Sequence, residues 1–224
     1  PVGQRCRIET SRGPLQAEAV GFSGEITYLM PTGDLEGVQS GDAVIPLGGG
    51  SDYPYGDHLL GRVLDGLGQP IDGLGPLQAA ASRWHPVRVN PMAKQPVRQP
   101  LDTGIRCING LITVGMGQRM GLFAGSGVGK SVLLGMMTRG TAADVVVVGL
   151  IGERGREVKE FLEDILGPEG RARAVVVVAT ADASPLLRLK GCETTLAIAE
   201  YFRDQGRNVL LLIDSLTRYA MAQR

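Results

Sequence analysis

The densest chemistry in the chain is the run Ala124-Gly125-Ser126-Gly127-Val128-Gly129-Lys130-Ser131. Its glycines let backbone N–H groups turn inward around phosphate oxygens, and the N-terminus of a following helix adds partial positive charge. In such a loop the lysine reaches the β- and γ-phosphates and the next hydroxyl ligates Mg²⁺. Lys130 and Ser131 are the candidates for those roles. Gly125, Ser126, Gly127, Val128, Gly129 and Val132 complete the candidate nucleotide-binding segment. The first position of the pattern holds Ala124 instead of glycine, a mild departure.

Two carboxylates stand where such a loop needs them. Asp214 ends the apolar run Val209–Ile213, the position of an acid that holds Mg²⁺ through water. Glu153 follows the run Asp144–Ile151. Open parallel sheets bind ligands beyond the carboxyl ends of their strands, so the loop, Glu153 and Asp214 are expected on one rim. There a carboxylate can polarise the water that attacks the γ-phosphate. The plainer reading pairs Glu153 with Arg154 or Arg156, or makes it a helix cap. Arg154, Arg156 and Arg218 stay open between stabilising transition-state charge and a structural role. His58 and His85 have no metal-ligand spacing and are assigned no chemistry.

Positioning these residues takes alternating strands and helices. Arg119–Ala124 reads as a short strand, and Ser131–Arg139 as a helix apolar on nearly all sides. Four consecutive valines in Asp144–Ile151 predict a strand buried on both faces. Val158, Phe161, Leu162, Ile165 and Leu166 form one helical stripe, which Gly167-Pro168 should stop. Ala172–Ala179 is another valine-rich strand. Ser184-Pro185 caps a helix running to about Gly206, and Asn208–Ile213 is a fourth strand. The pattern predicts an α/β fold with a parallel sheet. Residues 1–99 differ: short apolar runs broken by Gly, Pro and Asp predict a small barrel or sandwich, and the proline-bearing stretch Trp84–Pro100 reads as a linker. The expected division is therefore 1–99 and 100–224.

Composition removes several classes. Of 224 residues, 43% are hydrophobic and 21% charged, as in a globular protein. The apolar stretch Val145–Gly152 is far shorter than the ~18 residues of a membrane span, and no signal-peptide pattern opens the chain. Three well-separated cysteines form neither a disulfide framework nor a metal knuckle, and read as thiols in a reducing compartment. Zero net charge and scattered aromatics argue against nucleic acid as a partner and against a nucleic-acid translocase. A non-catalytic nucleotide-binding subunit of a rotary ATPase should lack the carboxylate at position 153, which here is glutamate.

The segments GLFAGSGVGKS (Gly121–Ser131), GLIGERGREVKE (Gly149–Glu160) and DSLTRYAMAQR (Asp214–Arg224) resemble the ATPases of flagellar type III protein export. That family is similar to the catalytic subunit of rotary ATP synthases and to the ATPases of virulence injectisomes, and these motifs separate flagellar from injectisome members poorly. GRVLDGLGQPIDG (Gly61–Gly73) and PLDTGIRCIN (Pro100–Asn109) carry the resemblance toward the start of the chain. It implies a partial N-terminal β-barrel that begins partway, followed by a RecA-like P-loop ATPase domain truncated after the Walker-B strand. It implies ATP and Mg²⁺ as cofactors, with Lys130 and Ser131 on phosphate and metal, Glu153 as catalytic carboxylate, Arg154 as its neighbouring arginine and Asp214 as the Walker-B acid. It implies a homohexamer with ATP at subunit interfaces. The implied partners are the export apparatus, regulatory and stalk subunits, and chaperone-bound substrates. The implied location is cytoplasmic, peripheral at the inner-membrane export gate. The chain opens on Pro1 instead of Met, and the family's later arginine finger, adenine-contacting loop and C-terminal helical domain are expected beyond Arg224.

Overall fold

The computed structural model describes residues 1–48, 52–78, 80–84, 89–125 and 127–224. The elements follow in chain order: β1 Arg5–Thr10, β2 Gly13–Ser23, β3 Ile26–Pro31, β4 Val44–Pro46, β5 Asp52–Tyr55, β6 Val63–Asp65, β7 Ala80–Arg83, β8 Pro100–Leu101, α1 Arg106–Leu111, β9 Val114–Gly115 and α2 Lys130–Gly140. Then come β10 Val145–Ile151, α3 Gly155–Glu160, a π-helical segment Phe161–Leu166, α4 Gly167–Ala172, β11 Ala174–Ala179, α5 Pro185–Asp204, β12 Val209–Asp214 and α6 Leu216–Ala222.

The α/β sheet has the order β12-β10-β11-β6 with every pair parallel. All residues of β10 and β11 are buried, as their valine runs require. Val146, Val148 and Val176 face Leu134, Val158, Phe161 and Leu166, so α2, α3 and the π segment cover one side. Val145, Val147, Val175 and Val177 face Ile198, Ala199 and Phe202 of α5 on the other. The start of α5 follows its sequence signal: the Ser184 hydroxyl accepts from Leu187 N at 3.2 Å, and Pro185 occupies the first turn.

The N-terminal sheet, order β3-β2-β1-β4, is antiparallel and consistent with the expected partial barrel. Cys6, Ile8, Ala17 and Ala19 are buried in alternation, giving it one apolar face.

Within the first hundred residues, β6 pairs with β11, Val63 opposite Val176, and buries Leu64 against α5's side of the sheet. Other expectations change. Arg119–Ala124 forms no strand; the Phe123 side chain is 97% exposed, with no layer to pack against. Helix α2 is one-sided, burying Leu134, Gly135, Met137 and Thr138 while Val132 and Met136 face out. Gly167-Pro168 breaks the stripe helix but opens α4, because proline is tolerated in a first helical turn. Residues 89–100 are exposed in the expected linker nearly throughout, whereas His85 and its three successors lie outside the described residues.

Gly66 marks the closest approach between β6 and α5. A Cβ there would stand 2.5 Å from the Leu187 carbonyl oxygen, which is backbone and cannot rotate away. Gly66→Ala should therefore cost about 1–3 kcal/mol of stability, measured by urea unfolding, as overpacking does elsewhere. An unchanged midpoint would show that β6 can slide off α5.

Candidate active site

Parallel register builds the site. Leu150 of β10 stands opposite Asp214 of β12, and Ile151 opposite Ala179 of β11, so all three strands end at one edge. Gly152 leaves β10 with φ +76°, and its N–H donates to Ala179 O at 2.6 Å. A Cβ at Gly152 would lie 2.7 Å from the Arg218 Cβ, so only glycine lets the chain turn so close to α6. Glu153 follows at once, and its carbonyl accepts from Ala181 N at 3.0 Å. Ser215 N donates to Ile151 O at 3.2 Å, closing α6 onto the same edge; the Asp214–Ser215 peptide is cis.

The loop before α2 reaches this edge through Lys130. Gly127 and Gly129 have φ of +74° and +92°, values that turn successive N–H groups inward. Gly129 is the N-cap of α2, and Lys130 its first residue. The Lys130 Nζ reaches Asp214 Oδ1 at 2.5 Å; the Asp214 side chain is 4% exposed and that of Lys130 28%. Ser131 and Val132 are exposed on the first turn, and Gly125 and Val128 in the loop. Ser126 lies outside the described residues.

Glu153 completes the group electrostatically. Partial burial is the largest cause raising its carboxyl pKa, followed by a hydrogen bond with Glu157 and the negative charge of Asp214; Lys130 pulls the other way, and the result is about 7. A carboxyl held there is poised to take a proton near neutral pH. Glu157 is the residue that sequence reasoning missed. Its signal was the Glu153/Glu157 spacing, which spans the entry to α3 and brings two acids to one turn. The Arg154 side chain is 78% exposed and reaches Glu157, the hydrogen-bond partner of Glu153, at 3.7 Å. Arg156 and Arg218 are also exposed.

No group of three or more His, Cys, Asp or Glu side chains suited to holding a metal by itself occurs among the described residues. The donors at this edge fit Mg²⁺ nonetheless. Mg²⁺ takes one or two carboxylates with water and phosphate oxygens, not an all-protein cage, and buried Asp214 with the Ser131 hydroxyl is such a partial set.

A glycine loop at a helix N-terminus, its lysine on a strand-end aspartate and a carboxylate in the turn after the adjoining strand define a P-loop nucleotide-binding α/β protein. Residues 104–224 match the ATP synthase alpha/beta family, nucleotide-binding domain, and the chain belongs to that family. It is 58% identical, over all of its length and 51% of the relative's, to the flagellum-specific ATP synthase of Pseudomonas aeruginosa. Identity is 56% to that of Salmonella typhimurium, over 52% of its length, and 51% to the type 3 secretion system ATPase of Xanthomonas euvesicatoria, over 51% of its length; both matches cover the whole chain. The assembled ATPase EscN with its central stalk EscO, from the type III secretion system of enteropathogenic E. coli, superposes with TM-score 0.90 at 42% identity, covering 100% of this chain and 55% of that one. The chain thus spans about half the length of the curated relatives it matches.

The raised Glu153 pKa carries a sign. A carboxyl raised from 4.5 to about 7 contributes stability that is fully present below the unfolded value and lost as pH rises to the folded one. The thermal midpoint of the parent chain should fall relative to Glu153→Gln as pH is raised between 4.5 and 7. Parallel curves for the two proteins would remove the shift.

Proposed function

We propose that this chain is the nucleotide-hydrolysing part of a flagellar protein-export ATPase, working in the cytoplasm at the membrane periphery. The observation that carries the reading is Lys130 on buried Asp214, with Glu153 at the same sheet edge under a pKa near neutrality. Lys130 and the inward N–H groups of Gly127 and Gly129 bind the β- and γ-phosphates. Ser131 and Asp214 would hold Mg²⁺, Asp214 through water, and the ion would supply charge neutralisation at the phosphates. Glu153 orients the attacking water and accepts its proton, and Glu157 keeps the base from being too weakly basic by opposing its ionisation. Exposed Arg154 is free to serve the site or a neighbouring subunit.

Flagellar relatives range from 45% to 58% identity around the 51% of the secretion-system relative, and the support for the flagellar pathway is that the two at 58% and 56% stand above it. A homohexamer with stalk, regulatory and chaperone–substrate partners belongs to the same proposal. Its support is that EscN, a 42% identical structure, is described as assembled and in complex with a central stalk. Among the described residues no helix is long and apolar enough to cross a membrane.

Lys130→Ala should weaken Mg-ATP binding about 10- to 100-fold by calorimetry, the range of one charge-assisted hydrogen-bonding group. Equal affinities would sink the phosphate assignment. In a protein that turns over ATP, Glu153→Gln should retain binding and lower phosphate release ~10²–10⁴-fold. Unchanged turnover would make Glu153 a structural acid.

A further inference from the structure

The N-terminal sheet meets the α/β layer through a polar joint. Lys190 on the second turn of α5 reaches Glu18 of β2 at 2.9 Å and Glu193 at 3.0 Å, and its side chain is only 14% exposed. Burial works against the ammonium, but the two carboxylates hold its pKa above the ordinary lysine value. A second grip lies toward the start of α5, where the Ser184 hydroxyl donates to Thr32 O at 3.2 Å. Both grips come from one ladder: Thr32 N donates to Gln16 O at 2.9 Å, two residues before Glu18. Around them lies a cavity of about 310 Å³, with Glu18, Thr32, Lys190 and Thr194 in its lining.

The same end of α5 borders the catalytic edge. The turn 180–184 leads from β11 into the helix, and Ala181 N holds the Glu153 carbonyl at 3.0 Å. The path from the N-terminal sheet to the Glu153 loop is therefore short and continuous: Glu18 to Lys190, α5 to Ser184, Ala181 to Glu153.

We infer that Glu18 and Lys190 are positioning residues, through which the N-terminal sheet holds α5 and so fixes the loop that carries Glu153. Neither touches the reacting atoms. Breaking a buried ion pair from one side leaves a charge poorly compensated, and of the two carboxylates on Lys190 it is Glu18, the more buried at 17% exposure, that belongs to the sheet. This rests on the proposed hydrolytic role of Glu153 for its consequence, though not for its geometry.

Amide hydrogen exchange in this chain tests the geometry without nucleotide. Glu18→Gln keeps the shape and leaves the Lys190–Glu193 pair in place. Exchange at Ala181 should rise about 5- to 30-fold, the effect of one to two kcal/mol on a local opening, while the amides of β10 stay protected. Lys190→Arg, which can serve both carboxylates, should keep the parent rate. Glu193→Gln, which spares the link to the sheet, should change Ala181 little. An unchanged Ala181 rate in Glu18→Gln, or a uniform rise at all amides, overturns the inference. In a protein that turns over ATP, Glu18→Gln should lower kcat several-fold with KM unchanged. If Glu153→Gln leaves turnover intact, the hydrolytic reading fails by itself; if only Glu18→Gln does so, the joint is not a positioning device.

Discussion

Strand β10 has no exposed residue, and that constrains the whole α/β layer. A strand sealed on both faces must satisfy its backbone groups entirely in ladders, so it needs a neighbour on each side. The neighbours are β11 and β12, and both run parallel to it. Parallel strands in register end together. The register Leu150↔Asp214 and Ile151↔Ala179 therefore delivers the aspartate, the Gly152–Glu153 turn and the entry to α5 to one edge. Even Gly149 follows from this sealing, since a Cβ there would stand 2.8 Å from the Thr195 hydroxyl of the helix that covers β10.

The edge then separates two carboxylates by environment. Asp214 is the more deeply buried, and Lys130 compensates it directly at 2.5 Å. Glu153 has no cation of its own at that distance, and Glu157 and Asp214 both oppose its ionisation. The two carboxylates thus sit in different environments, because one lysine can pair directly with only one of them.

How much of this was legible depended on how local each signal was. The glycine loop, Lys130, the valine strands and the Ser184-Pro185 cap are contiguous patterns, and each sits where its pattern placed it. Glu157 was missed because its effect on Glu153 arises only once the chain turns into α3. Strand β6 was assigned to the first half because three residues, Val63-Leu64-Asp65, show no period, and their partner lies more than a hundred positions away. Arg119–Ala124 fails for the opposite reason: its sequence favours a strand, but a strand needs a ladder and a surface, and Phe123 has neither among the described residues. The expected role of Arg154 came from resemblance alone, and its side chain is exposed and reaches Glu157 at 3.7 Å.

The position of β6 also explains why the first hundred residues are joined to the rest in two different ways. From β5 to Trp84 the chain is welded to α5: Leu59 and Leu64 are fully buried with Phe202, Tyr53 donates to Glu193 at 2.7 Å, Trp84 Nε1 donates to Glu200 at 2.5 Å, and Tyr55 lies against Tyr201. Among the described residues no core cluster of the layer includes a residue of sheet β3-β2-β1-β4, which is tied to the layer by an ion pair and a hydrogen bond beside a cavity. Apolar burial is non-directional and resists separation at every angle, whereas a few polar bonds fix an angle but yield once their geometry is lost. The β3-β2-β1-β4 sheet is thus held by a handful of polar groups, whereas Tyr53, Leu59 and Leu64 pack or bond directly with the α5 layer.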